Sequence, residues 1–182
     1  MEKLDARKRY TQMVLKEAFL TLLKEKPVNK ITVKEVCTLA QLNRATFYAH
    51  YSDCFALMQS IENELIAAFE KSLRYVNSFD VSTLIAAIYD MVDQNQEACR
   101  VLILGNTSST LLTRMIALAR EDSLAYWRKE LPRADEAELE MMYTHLSNGL
   151  MHVVVEDYDK YDKEEIIRFV TRVVKASLSL FR

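Results

Sequence analysis

Residues 31–51 read ITVKEVCTLAQLNRATFYAHY. This stretch decides the fold. It forms two short helical segments joined by a tight turn. Thr32, with Glu35 three residues on, is a capping box that starts the first segment. Val33, Val36, Cys37 and Ala40 make its inward face. Asn43 caps the second segment through its side-chain oxygen. Phe47 and Tyr51, four apart, point back to a core. What is left exposed is a short polar face: Arg44, Ala45, Thr46, Tyr48 and His50. A polar helix face braced by an apolar scaffold suits the major groove of DNA.

Each exposed residue has a chemical use there. Arg44 can make paired hydrogen bonds to guanine O6 and N7. The Ala45 methyl meets a thymine methyl or permits close approach. Thr46 and Tyr48 offer hydroxyls to phosphate or base, and His50 can donate to a phosphate. Thr32 adds a hydroxyl. The helix starts at Thr32 and Asn43 present free N–H groups to phosphate. Lys8, Arg9, Lys30 and Lys34 are candidate phosphate partners. Against this, Thr32 and Asn43 serve as caps whatever else they do, and Tyr48 has a packed aromatic as its alternative reading.

Working outward, Tyr10, Met13, Val14, Ala18, Phe19, Leu22 and Leu23 recur with helical period. They predict a first helix ending near Lys26, because Pro27 disfavours helical geometry in the residue before it. Ser52 or Asp53 caps a long fourth helix with the stripe Met58, Ile61, Leu65, Phe69 and Leu73, running to about Val76. Further helices are predicted over 80–94, 97–104, 108–130, 135–156 and 162–181. The breaks are Asn77–Ser78, Asn95, Gly105–Asn106, Leu131–Pro132 and the polar stretch from Glu156 to Lys163. The fold class is all-α with about nine helices. An N-terminal three-helix helix-turn-helix domain spans 1–52, and a larger helical domain spans 53–182.

Composition agrees. The chain has 182 residues with two Gly and two Pro, so turns are scarce. The net charge of −2 hides a basic head and an acidic body. Residues 1–51 carry ten Lys/Arg against five Asp/Glu. Such asymmetry fits a protein that lays one end on DNA, although clustered solvated charges can look the same. No run approaches the ~18 apolar residues of a membrane span. The N-terminus lacks an apolar signal core, and Cys37, Cys54 and Cys99 lack CxxC spacing. A reducing cytoplasm and no membrane partner are the expectation.

The residues from Thr32 through TFYAHY to Leu57 resemble the TetR family of bacterial transcriptional regulators. The likeness covers about residues 10–60. Beyond them only the lengths and order of the helices resemble the family, with a looser likeness to a subset tied to dihydroxyacetone metabolism. The resemblance implies DNA contacts from Thr32, Arg44, Ala45, Thr46, Tyr48 and His50. It also implies a dimer through the two C-terminal helices and a cavity for a small inducer. Three departures stand out. Gln41 replaces a turn Gly, so a non-Gly residue has to adopt positive φ at about 1 kcal/mol. Pro27 and Val28 replace another Gly. Cys54 replaces a phosphate-binding Lys. Its place at a helix start would acidify the thiol and permit a redox switch; an inert semi-buried cysteine is the favoured alternative.

For the dimer, Ile166, Val170, Val173, Val174, Ser177 and Phe181 form a stripe that Ile167, Leu178 and Leu180 widen. In the preceding helix Gly149 allows close approach beside Leu146, Leu150 and Val153. Ordinary intramolecular core is the competing account. Tyr89, Met91, Met115, Trp127, Met141, Met142, His145 and His152 are pocket-type residues that equally suit a core. His145 and His152 share a helix face but lack further ligands, so no metal and no cofactor are expected. No GxSxG, HExxH, Walker A or dinucleotide fingerprint occurs, and an enzyme is not expected. The reading is therefore a dimeric regulator, a repressor by family habit, on a pseudo-palindromic double-stranded DNA operator. A small-molecule effector of unknown identity releases it. The alternative is a DNA-binding regulator gated by a protein partner.

Overall fold

The computed structural model describes residues 2–74, 81–104, 110–156 and 160–182. Among the described residues there are nine α-helices and no strand: α1 Glu2–Leu23, α2 Val33–Leu39, α3 Arg44–Tyr48, α4 Cys54–Ser72, α5 Val81–Gln94, α6 Gln96–Cys99, α7 Leu111–Glu130, α8 Glu136–Glu156 and α9 Lys163–Ser179. The all-α class and the helix order match the sequence expectation. The predicted ends near Val76, Asn77–Ser78 and Gly105–Asn106 lie outside the described residues. The helix expected over 97–104 is instead the short α6 followed by a π-helical stretch, Arg100–Leu104. No described helix is long and apolar enough to cross a membrane.

The chain divides into two units. The first is Met1–Leu65 with Glu97–Ser109, and the second is Ile66–Gln96 with Thr110–Arg182.

In the first unit α1 packs on α2, and α2 on α3. Leu15, Phe19, Val36, Phe47 and Leu57 are fully buried. Each such side chain contributes about 1.5–3 kcal/mol through removal from water. The face of α1 differs from its periodic reading. Leu15, absent from that set, is in the core, while Tyr10 and Met13 are exposed. Apolar residues occur on more than one side of α1, so period alone could not choose the buried side. α1 ends at Leu23, and the chain continues to Lys26 as turns whose N–H groups donate to Leu20 and Leu22 carbonyls. Asp53 is the cap of α4, its Oδ1 accepting from the Ala56 N–H at 2.8 Å.

The turn between α2 and α3 is a Schellman motif. The Leu42 N–H donates to the Cys37 carbonyl at 2.9 Å, and the Gln41 N–H to the Thr38 carbonyl at 3.3 Å. The motif needs a left-handed residue, and Gln41 has φ +54°. It is the sole positive-φ non-glycine residue among those described. The sequence expectation for Gln41 therefore holds. Gln41→Gly is expected to stabilise the protein by about 1 kcal/mol, the relief of the Cβ clash less the added chain entropy. A urea titration reads this as a higher midpoint with unchanged slope. A lower midpoint would mean that contacts of the Gln41 side chain outweigh the strain.

In the second unit α5 packs on α9 and α8, and α7 packs on α8. Leu124, Leu131, Leu139, Met142, Tyr143, Leu146 and Leu178 form one buried cluster. Two polar links set the register of α7 against α8. Arg128 grips Glu136 through Nε at 3.0 Å and through a terminal nitrogen. Arg120 pairs with Glu140. Asp135 starts α8 with a reciprocal cap: its Oδ1 accepts from the Glu138 N–H at 2.8 Å, and Glu138 accepts from the Asp135 N–H. Lys163 at the start of α9 pairs with Asp90 of α5. These helices and the end of α4 line a half-open cavity of about 100 Å³.

Candidate nucleic-acid interface

Local capping builds the surface that carries the sequence candidates. Thr32 and Glu35 form the complete capping box. The Thr32 Oγ1 accepts from the Glu35 N–H at 3.3 Å and donates to Glu35 Oε2 at 2.7 Å. Lys26 hydrogen-bonds the same carboxylate. That bond, with those from Thr32, lowers the Glu35 pKa from 4.5 to about 2. Glu35 is thus ionised at neutral pH and holds the Thr32 hydroxyl proton. A phosphate meeting Thr32 has to compete with this carboxylate or accept from a neighbouring donor.

Asn43 Oδ1 caps α3. It accepts from the Thr46 N–H at 2.7 Å and from the Thr46 hydroxyl at 3.0 Å. The Thr46 hydroxyl is therefore already occupied as a donor and half-buried, while the Asn43 amide nitrogen keeps its donors. Arg44, Ala45 and Tyr48 are exposed. Arg44 and Tyr48, four apart, lie on one side of α3. Tyr48 is 57% exposed, which rules out the packed-aromatic alternative. Its ring rests edge-on against Phe47 with centroids 5.7 Å apart. Phe47 and Tyr51 are buried as expected and anchor α3 from beneath. His50 is half-buried, with Nδ1 inside and without a hydrogen-bond partner. Only its Nε2 is left to face outward chemistry. Lys8, Arg9, Lys30 and Lys34 are all exposed. Thr32, Lys30 and Lys34 rim one shallow depression with Thr38 and Gln41. Those last two residues were not among the sequence candidates. Their signal was the turn itself, which forces Gln41 outward.

Cys54 is 5% exposed, and burial pushes its thiol up to about 11. Asp53, Cys37 and Glu35 add to the rise. Desolvation therefore overrides the helix-start effect, and the acidified thiol needed for a redox switch is absent.

The pocket-type residues separate clearly. Trp127 lines the cavity of the second unit. Tyr89, Met91, Met115 and Met142 are buried, whereas Met141, His145 and His152 are exposed.

No family model matches the chain. An uncharacterized HTH-type transcriptional regulator, YxbF of Bacillus subtilis, is 32% identical over 59 residues. That match spans 32% of this chain and 16% of the relative. Solved structures superpose over nearly the whole length. A TetR transcriptional regulator from Streptococcus agalactiae gives a TM-score of 0.64 at 22% identity, covering 95% of this chain and 98% of that one. The fatty acid degradation regulator FadR from Bacillus halodurans gives 0.67 at 14% identity, covering 90% and 94%. The dihydroxyacetone kinase operon activator DhaS gives 0.58 at 14% identity, covering 94% and 98%. The chain has the fold of the TetR-family transcriptional regulators.

Proposed function

We propose that this protein is a dimeric, sequence-specific transcriptional regulator, of the repressing kind, that is released from its operator by a small molecule. The exposed Arg44–Ala45–Tyr48 face of α3, held by the Asn43 cap above and Phe47 below, carries this reading. Arg44 reads a base edge, Ala45 permits close approach, and Tyr48 meets phosphate or base. Thr32, Asn43, Thr46 and His50 frame that contact, with Lys30 and Lys34 adding attraction for the backbone. Two copies of α3, related by two-fold symmetry, would read the halves of a pseudo-palindrome. The effector would occupy the second unit and shift the dimer toward a state with wrongly spaced heads.

The related regulators include one described as a dihydroxyacetone kinase operon activator. A protein-gated regulator without an inducer remains the second reading. It is favoured by a fully packed second unit, and the cavity argues against it.

Selection of bound sequences from a random DNA library, with purified protein at stated salt, tests the proposal. A two-fold-symmetric motif is the expected result. Failure to enrich any motif would remove sequence-specific recognition. Tyr48→Phe is a sharper probe of one side chain. It keeps the ring on Phe47 and deletes the hydroxyl. Operator affinity is expected to fall by about 1 kcal/mol, one hydrogen bond per half-site at the lower end, while melting temperature holds. Unchanged affinity would take the hydroxyl out of the contact.

A further inference from the structure

The cavity of the second unit has a wall without a single charged side chain. Phe69, Tyr126, Trp127 and Tyr143 supply aromatic surface, and Ile85 and Leu146 are among the aliphatic residues. Two hydroxyl-bearing residues of modest size, Ser123 and Ser147, also line it. Three features select a ligand class.

The first is size. A water needs roughly 10–15 Å³ of such space, and an engineered apolar cavity of about 150 Å³ accepts benzene. About 100 Å³ therefore fits one ring or a short chain. The second is charge. A carboxylate or ammonium would lose its hydration and gain no counter-ion from this wall. The third is an unfilled hydrogen bond. Ser147 Oγ is buried and has no hydrogen-bond partner. The nearby Tyr143 hydroxyl gives its proton to the Ile116 carbonyl, so it can accept from Ser147 but cannot donate to it, and the Ser147 lone pairs stay open to a ligand hydroxyl. A buried hydroxyl without a partner is unfavourable, and a ligand that supplies one removes the penalty. Four aromatic side chains in the wall favour a ring, through offset and edge contacts.

We propose that this cavity binds a small uncharged aromatic molecule bearing one hydroxyl, a phenol in chemical class, with the ligand hydroxyl on Ser147 Oγ. The proposal rests on the effector-gated reading above and names the effector's chemistry.

Trp127 is the one tryptophan of the chain, so its fluorescence reports occupancy of the cavity directly. The full-length protein is titrated with phenol, toluene and benzoate, with excitation where the ligands are transparent. Phenol is expected to bind saturably and at least about tenfold tighter than benzoate, the effect of burying an unpaired charge. Ser147→Ala is expected to weaken phenol about fivefold and to leave toluene unchanged, as for loss of one neutral hydrogen bond. The melting temperature of that variant, measured alongside, shows that the fold is kept. Benzoate binding as tightly as phenol overturns the charge argument. Equal losses for phenol and toluene remove Ser147 as the partner. No saturable change with any of the three overturns the site. The operator arm separates the two readings: phenol that binds but leaves operator affinity unchanged keeps the cavity assignment and defeats the effector-gated regulator.

Discussion

Replacing Phe169 and Leu180 together by Asp is expected to yield a folded monomer whose operator affinity is lower by ~10²–10⁴-fold. Phe169, Val173 and Ala176 on α9 and Leu180 at its C-cap follow one another at steps of four, three and four. That spacing places them on one side of the helix. All four are exposed, Phe169 by 53% and Leu180 by 75%. On α8, Met141, His145, Gly149 and His152, at steps of four, four and three, also share one side and are exposed. A Cβ built on Gly149 meets nothing within 4 Å, so that stretch of helix is open to a close neighbour. An apolar stripe of this kind marks an interaction surface, and a second copy of the chain is the occupant proposed. Carboxylates there would be buried unpaired against their own symmetry mates. The monomer should keep its melting temperature at low concentration, because neither side chain belongs to the core of the single chain. Sedimentation reads the mass, and a binding titration reads the lost avidity. A variant that stays dimeric would move the interface away from α9. A monomer with undiminished affinity would show that the two heads do not act together.

Arg44→Ala carries the second large effect. A bidentate arginine–guanine contact discriminates by about 1–3 kcal/mol. Two half-sites make this about 2–6 kcal/mol for a dimer, a loss of roughly 30-fold or more. The loss should be specific: preference at one base pair in each half-site relaxes, while the other positions keep theirs. Arg44 is exposed and no buried side chain depends on it, so stability should not change. A uniform loss across all sequences would make Arg44 a phosphate contact. An unchanged preference would remove it from base readout.

These two surfaces were unequally visible in the sequence. The α3 face was legible because its determinants are local. Thr32 and Glu35, Asn43 and Thr46, and Phe47 and Tyr51 each act within four residues, where spacing fixes geometry. Gln41 was readable for the same reason, since the turn demanded a left-handed residue whatever filled it. The stripe on α9 was only partly legible. Ile166 and Val170 were grouped with Val173, yet the first two are core and Val173 is 40% exposed. Phe169 was missed altogether. An apolar helix with two apolar sides offers no period that separates inside from outside. The cavity was least legible. Of the aromatic, thioether and imidazole residues considered, only Trp127 faces it. Ser147, the residue that gives the cavity a chemical preference, carries no sequence signal, because its importance lies in a missing partner that only the packing of α7 and α8 creates.

The three cysteines have a use beyond their inertness. Cys37, Cys54 and Cys99 are all buried, and all belong to the first unit. Burial raises the thiol pKa of each. Alkylation therefore has to wait for that unit to open, and the second unit contributes no background. The rate of thiol labelling becomes a clock for the opening of the first unit alone. Run with and without operator DNA, the same clock would time how firmly a bound site holds that unit shut.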